Sequence, residues 1–171
     1  VSDYINLMNE SNVDYVEIGF ANKTINYKGD IVGPSRNIDI NYLNLFKSMN
    51  AKIAVMCDYN DVNMSLLENN VTLERVDLVR IAFHKQDLDN AIKMCNTIKN
   101  LGYKVSANAM AITNYNNKDL KHLFDLVNEN KLDILYIADS YGSLNNVQVR
   151  EYINKFNMEL SNTTIGIHLH N

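Results

Sequence analysis

The sequence predicts an α/β fold built on a parallel sheet, and three observations carry that expectation. Six strand-like runs alternate with five helix-like ones along the chain. The strand-like runs begin near residues 13, 51, 76, 103, 132 and 163, a repeat of about 30 residues. That alternation implies right-handed βαβ crossovers, and its unit size suits a (β/α)8 barrel or an open doubly wound sheet. No G-x-G-x-x-G or Walker A pattern follows any strand, so a nucleotide-binding open sheet lacks its usual support.

Each element has its own signal. A lead-in helix is expected near Ser2–Met8. Val13–Phe20 reads as a short buried strand, and Tyr42, Leu45, Phe46 and Met49 mark one helix face at i, i+3, i+4 and i+7. Ala51–Cys57 is the next strand, followed by a short helix around Asn63–Asn69 and a strand over Val76–His84. Asp87 opens a helix with Leu88, Ala91, Ile92, Cys95 and Ile98 on one face, and Gly102 is its left-handed stop. Tyr103–Ile112 is strand, Leu120, Leu123, Phe124 and Val127 a helix face, Leu132–Ala138 strand. Val149, Tyr152, Ile153 and Phe156 mark the last helix, and Thr163–His170 the last strand.

Composition bounds the function. The 171 residues suit one domain, and 46% apolar with 21% charged residues gives enough for a packed core. A net charge of −4 argues against a nucleic-acid or anionic-membrane binder, which would show a basic face. No apolar run approaches the ~18 residues of a membrane span. Two cysteines, Cys57 and Cys95, are too few for a disulfide scaffold, so they read as core thiols and a cytoplasmic location is expected. The 28 asparagines are scattered and form no tract, which reads as compositional bias. The chain starts at Val1 without Met or leader features, and the last strand stops abruptly at His168-Leu169-His170-Asn171.

The sharpest chemical feature is His168-x-His170. Residues two apart in a strand point to one face, which brings both imidazoles within reach of one metal ion and turns Leu169, with Ile165 and Ile167, toward covering helices. Active sites of α/β barrels and open sheets lie beyond the C-terminal strand ends. Glu17, Arg80, His84, Ser106, Asn108, Asp139 and Ser140 all fall near such ends. For Glu17 and Arg80, a structural ion pair is as good a reading as catalysis, because a charge inside a strand needs a partner.

In order along the chain stand V-D-Y-V-E-I-G-F, V-D-L-V-R-I-A-F-H, I-A-D-S-Y-G-S-L and G-I-H-L-H-N. This series resembles the HMG-CoA lyase-like metallolyases, the DRE-TIM family, over Val13–Asn171. The D-S-x-G-S form and the V-R-I-A-x-H strand are most similar to its 4-hydroxy-2-oxoacid aldolase branch. The resemblance implies a (β/α)8 barrel of which this chain, a single incomplete catalytic domain over 1–171, supplies strands 2–7, with strands 1 and 8 missing. It further implies a divalent-metal-dependent carbon–carbon lyase that stabilises a pyruvate enolate on Mg²⁺ or Mn²⁺. Carried over by motif, His168 and His170 are metal ligands, and Glu17 and Asp139 are catalytic-site carboxylates. Ser140, Arg80 and Asn108 bind substrate, the last two inferred partly from inward parity. No residue matches the strand-1 Arg-Asp pair.

Two other readings stay open: an acyl-CoA-dependent relative of the isopropylmalate synthase, homocitrate synthase or HMG-CoA lyase type, and a catalytically inactive ligand-binding barrel. A small-molecule 2-oxoacid is the expected substrate partner, and pairing through open sheet edges the expected route to a homo-oligomer. His122 lies off the apolar face of its helix and reads as solvated. The stretch Asn22–Asn37, with Lys23, Lys28, Gly29, Gly33, Pro34 and Arg36, reads as a lid or a polar loop.

Overall fold

The computed structural model describes residues 1–24 and 33–170. Its sheet holds β1 (Tyr15–Phe20), β2 (Lys52–Asp58), β3 (Leu78–Phe83), β4 (Lys104–Ala109), β5 (Ile134–Asp139) and β6 (Thr164–Leu169). Every neighbouring pair is parallel, and the spatial order is the sequence order, β1-β2-β3-β4-β5-β6. Right-handed crossovers between successive neighbours place the connecting helices on one face. A doubly wound sheet reverses its order partway, and this one does not. The result is a curled half-barrel, a partial (β/α)8 barrel.

The helices are α1 (Ser2–Glu10), α2 (Ile40–Asn44), α3 (Met64–Leu67), α4 (Asn70–Arg75), α5 (Leu88–Asn100), α6 (Asn117–Glu129) and α7 (Asn146–Glu159). Part of the asparagine surplus starts these helices. Asn63, Asn69, Asn116 and Asn145 are the N-caps of α3, α4, α6 and α7, each accepting a backbone N–H on its side chain. That explains one departure from expectation: the helix around Asn63–Asn69 is two helices, because Asn69 leaves the helical conformation to cap α4. The helix expected across Tyr42–Met49 is also shorter. It ends at Asn44 and continues as turns, although Tyr42 and Phe46 still pack edge to face at 5.2 Å. Gly102 has φ +107 just past α5, as the stop signal requires.

The main core lies between the helices and the outer face of the sheet. Val55, Ile81, Val105 and Leu135 meet Ile92, Cys95, Leu123 and Phe156 there, all fully buried or nearly so. Phe124 and Phe156 join α6 to α7 edge to face at 4.9 Å. Both cysteines are buried in this core, and burial pushes the Cys57 thiol up to about 12, so they stay protonated core groups. The concave face carries a smaller apolar cluster, Ala54, Leu78 and Ile134 with Tyr15 and Tyr136. Of the β6 residues expected under helices, Ile165 packs on the core, but Ile167 and Leu169 are 43% and 47% exposed.

One glycine is needed where the chain folds over β1. A Cβ on Gly19 would sit 2.1 Å from the Ser35 carbonyl oxygen, and its φ is +152. Gly19→Ala is therefore expected to destabilise the protein by about 2 kcal/mol through overpacking. A melting temperature equal to wild type in calorimetry would contradict this.

Candidate active site

Parallel register decides which side chains share the concave face. Arg80 pairs with Ser106, Asn108 with Tyr136, Tyr136 with Gly166, and Ala138 with His168. Alternation along each strand then sets Glu17, Arg80, Asn108, Tyr136, His168 and His170 on one face, on the side away from the main core.

Arg80 and Glu17 reach each other across β2. Arg80 Nη1 donates to Glu17 Oε2 at 2.5 Å. The Arg80 side chain is 12% exposed and that of Glu17 31%, so the pair is half-screened rather than buried as a unit. The Arg80 guanidinium also lies 4.5 Å above the Tyr136 ring centroid. Its Nε is buried without a partner among the described residues. The ion-pair reading of these two charges is thus realised.

The two imidazoles converge. The rings of His168 and His170 stand 4.8 Å apart with 36° between their planes. His170 Nδ1 lies 2.8 Å from the Asp139 carbonyl oxygen. A carbonyl only accepts, so Nδ1 donates in this contact and Nε2 is the ring nitrogen left for a metal ion. Burial, then the nearby Arg80 cation and His170, lower the pKa of His168 against the opposing effect of Glu17. That lowering holds the His168 ring toward the neutral, ligating form. Among the described residues no group of three or more His, Cys, Asp and Glu side chains gathers into a metal cage.

Asp139 and Ser140 stand at the C-terminal end of β5 but do different things. Asp139 is 1% exposed, covered by its own loop rather than by depth in the core. Its Oδ1 accepts from Ser143 N–H at 3.1 Å and its Oδ2 from Leu144 N–H at 2.8 Å. Burial alone would raise its pKa, but the Leu144, Ser143 and Tyr141 amides and the Ser143 hydroxyl together hold it below the usual carboxylate range. The carboxylate thus shapes the turn after β5. Ser140 Oγ accepts from Ala111 N–H at 2.8 Å, tying that turn to the end of β4. Ala111 is held at φ +51, a left-handed conformation rare for alanine.

The remaining candidates are placed as follows. Asn108 is 3% exposed, and its Oδ1 accepts from Ser106 Oγ at 3.3 Å. His84 is exposed and lines an open cleft of about 490 Å³ beyond the ends of β2 and β3, with Arg36, Asp58, Asp61 and Asp87. The histidine pair is not part of that cleft's lining. His122 is exposed, as expected, and meets Asp89 at 3.0 Å. Of the expected lid, Lys28 and Gly29 lie outside the described residues. Sequence reasoning missed Tyr136 and Gly166. Their signal was available only as parity: both share a face with His168.

A half-barrel wound in one direction, with two imidazoles, an ion pair and a buried amide on its concave face toward the strand ends, is a partial (β/α)8 barrel with a polar mouth. The chain belongs to the HMGL-like family, whose model matches residues 1–171. Among solved structures, the N-terminal domain of a Bacteroides vulgatus protein described as an aldolase is similar, with a TM-score of 0.86 and 26% identity. The match covers 99% of this chain and 56% of that one. A curated relative, the GTP 3',8-cyclase of Campylobacter fetus subsp. fetus (strain 82-40), is 32% identical over 96 residues. That is 50% of this chain and 30% of that protein. The chain thus spans about half or less of the length of these relatives. Among the described residues no helix is long and apolar enough to cross a membrane.

Proposed function

We propose that the protein is a divalent-metal-dependent carbon–carbon lyase of the aldolase type, acting on a 4-hydroxy-2-oxoacid. The observation that carries this is the histidine pair on one strand face, with His170 Nδ1 directed at a carbonyl. Metal-binding imidazoles commonly donate their second ring N–H to a carbonyl, which fixes tautomer and orientation, and His170 meets that condition through Asp139. His168 and His170 would supply two of the ion's ligands. Bound Mg²⁺ or Mn²⁺ supplies Lewis acidity toward the carboxylate and carbonyl of a 2-oxoacid. HMGL-like membership and the aldolase-described neighbour support the lyase class.

The chain's own residues take the other roles. Ser140 accepts the Ala111 amide on its oxygen, leaving its hydroxyl proton to donate to a substrate carboxylate. Arg80, held by Glu17, places a cation beside the histidines where negative charge develops. Asn108 offers its amide N–H groups, its oxygen being occupied by Ser106. Asp139 holds the turn that carries Ser140.

The test is pyruvate release from 4-hydroxy-2-oxopentanoate by the full-length protein. Activity is expected with Mn²⁺ or Mg²⁺ and none after chelation. Turnover that survives thorough chelation would overturn the metal-dependent reading.

A further inference from the structure

Arg80 needs more than one partner to stay where it is. Its ion pair with Glu17 fixes only one end of the guanidinium, and Nε has no partner among the described residues. The flat face rests on Tyr136, 4.5 Å from the ring centroid. Glu17, Arg80 and Tyr136 come from β1, β3 and β5. Alternate strands supply a single layer of side chains in a (β/α)8 interior, and here that layer is an acid, a cation and an aromatic ring rather than aliphatic groups.

The ring has a place made for it. Gly166 is the register partner of Tyr136 in β6 and lies two residues before His168 on the same face. A Cβ at position 166 would fall 2.6 Å from both Cε1 and Cζ of Tyr136, closer than carbons approach. Gly166 is not among the positive-φ glycines, so backbone conformation does not demand glycine there. Space for the ring does. The Tyr136 hydroxyl makes no hydrogen bond among the described residues, so the ring face is what holds Arg80.

We infer that Tyr136 is a positioning residue of the site: seated in the space that Gly166 leaves, its ring carries the Arg80 guanidinium at a fixed height beside His168. The stacking stands on geometry alone. What Arg80 does there, holding the charge of a 2-oxoacid, rests on the proposed lyase reading.

Two readouts test the inference separately from that reading. In ¹⁵N-labelled protein, the Arg80 Nε–H proton is expected to be shifted upfield by the Tyr136 ring. The shift persists in Tyr136→Phe and disappears in both Tyr136→Leu and Gly166→Ala. Calorimetric binding of oxalate, a planar stand-in for a 2-oxoacid enolate, is measured with Mn²⁺ on the full-length protein. Tyr136→Leu and Gly166→Ala are each expected to weaken it about tenfold, with Tyr136→Phe unchanged. In the Tyr136→Leu background, adding Gly166→Ala has little further effect, because the ring it displaces is gone. If Gly166→Ala does not fold, the Phe and Leu variants at 136 decide alone. An Arg80 signal that stays put in Tyr136→Leu overturns the positioning role. If the signal moves as described but the wild type binds no oxalate, the positioning role stands and the lyase reading falls.

Discussion

His168→Ala and His170→Ala, made singly in the full-length protein, are each expected to cut pyruvate release and Mn²⁺ affinity by more than about 100-fold. Two imidazoles on one strand face, 4.8 Å apart, supply half or more of the protein donors a divalent ion uses at an open catalytic site. Removing one leaves a single nitrogen, which no nearby His, Cys, Asp or Glu among the described residues can replace. His122→Ala, on the exposed side of α6, is expected to change neither quantity. Thermal stability separates ligation from packing. Both histidines sit at a partly exposed strand end, so the metal-free variants should melt close to wild type. Equal Mn²⁺ titration curves for wild type and His170→Ala would sink the assignment.

Much of this architecture was legible because it is local. The switch between two-residue and 3.6-residue periodicity located all six strands to within a few residues, and the Asp87–Gly102 helix has the stop its sequence announces. The H-x-H pair was legible for the same reason, since strand parity alone puts both rings on one face. The helix break at Asn69 was hidden because Asn serves equally as a loop residue and as a cap. The exposure of Ile167 and Leu169 was hidden because an apolar alternation reports which face is turned outward, and not whether a helix lies over it.

The candidate site divides along the same line. Glu17 and Arg80 were suspected as partners because each is a charge inside a strand, and the register across β2 brings them together. Tyr136 and Gly166 form a site feature only through lateral pairing between β5 and β6, which no local pattern encodes. Asp139 shows how far one position matters at a strand end. It shares parity with Leu135 and Ile137 on the helix-covered face, whereas Ala138 pairs with His168 on the concave one. Its sequence position matched a catalytic carboxylate. Its geometry ties it first to the backbone of its own turn.

Asp139→Ala is accordingly expected to destabilise the protein by about 3 kcal/mol, because two backbone amides lose a charged acceptor under cover. For a chain of this size that lowers the melting temperature by roughly 10 °C. The pH dependence follows from the lowered pKa of the folded state. The unfolded carboxyl titrates near about 3.9. Above that value both states are ionised, and the full difference between wild type and variant is present. As pH falls below it, the unfolded chain takes up the proton first, and the difference shrinks until it is lost as the folded carboxyl protonates in turn. The gap in denaturant midpoint between wild type and Asp139→Ala should therefore be smaller at pH 3 than at pH 7. Loss of the carboxylate also frees the turn carrying Ser140 and the carbonyl that orients His170, so Mn²⁺ affinity should fall along with stability. Asp139→Asn distinguishes a turn-holding role from direct chemistry. It keeps one acceptor for the Ser143 or Leu144 amide, so a structural carboxylate predicts partial loss of stability and of activity together. A variant with wild-type stability and no turnover would assign Asp139 to the reacting groups instead.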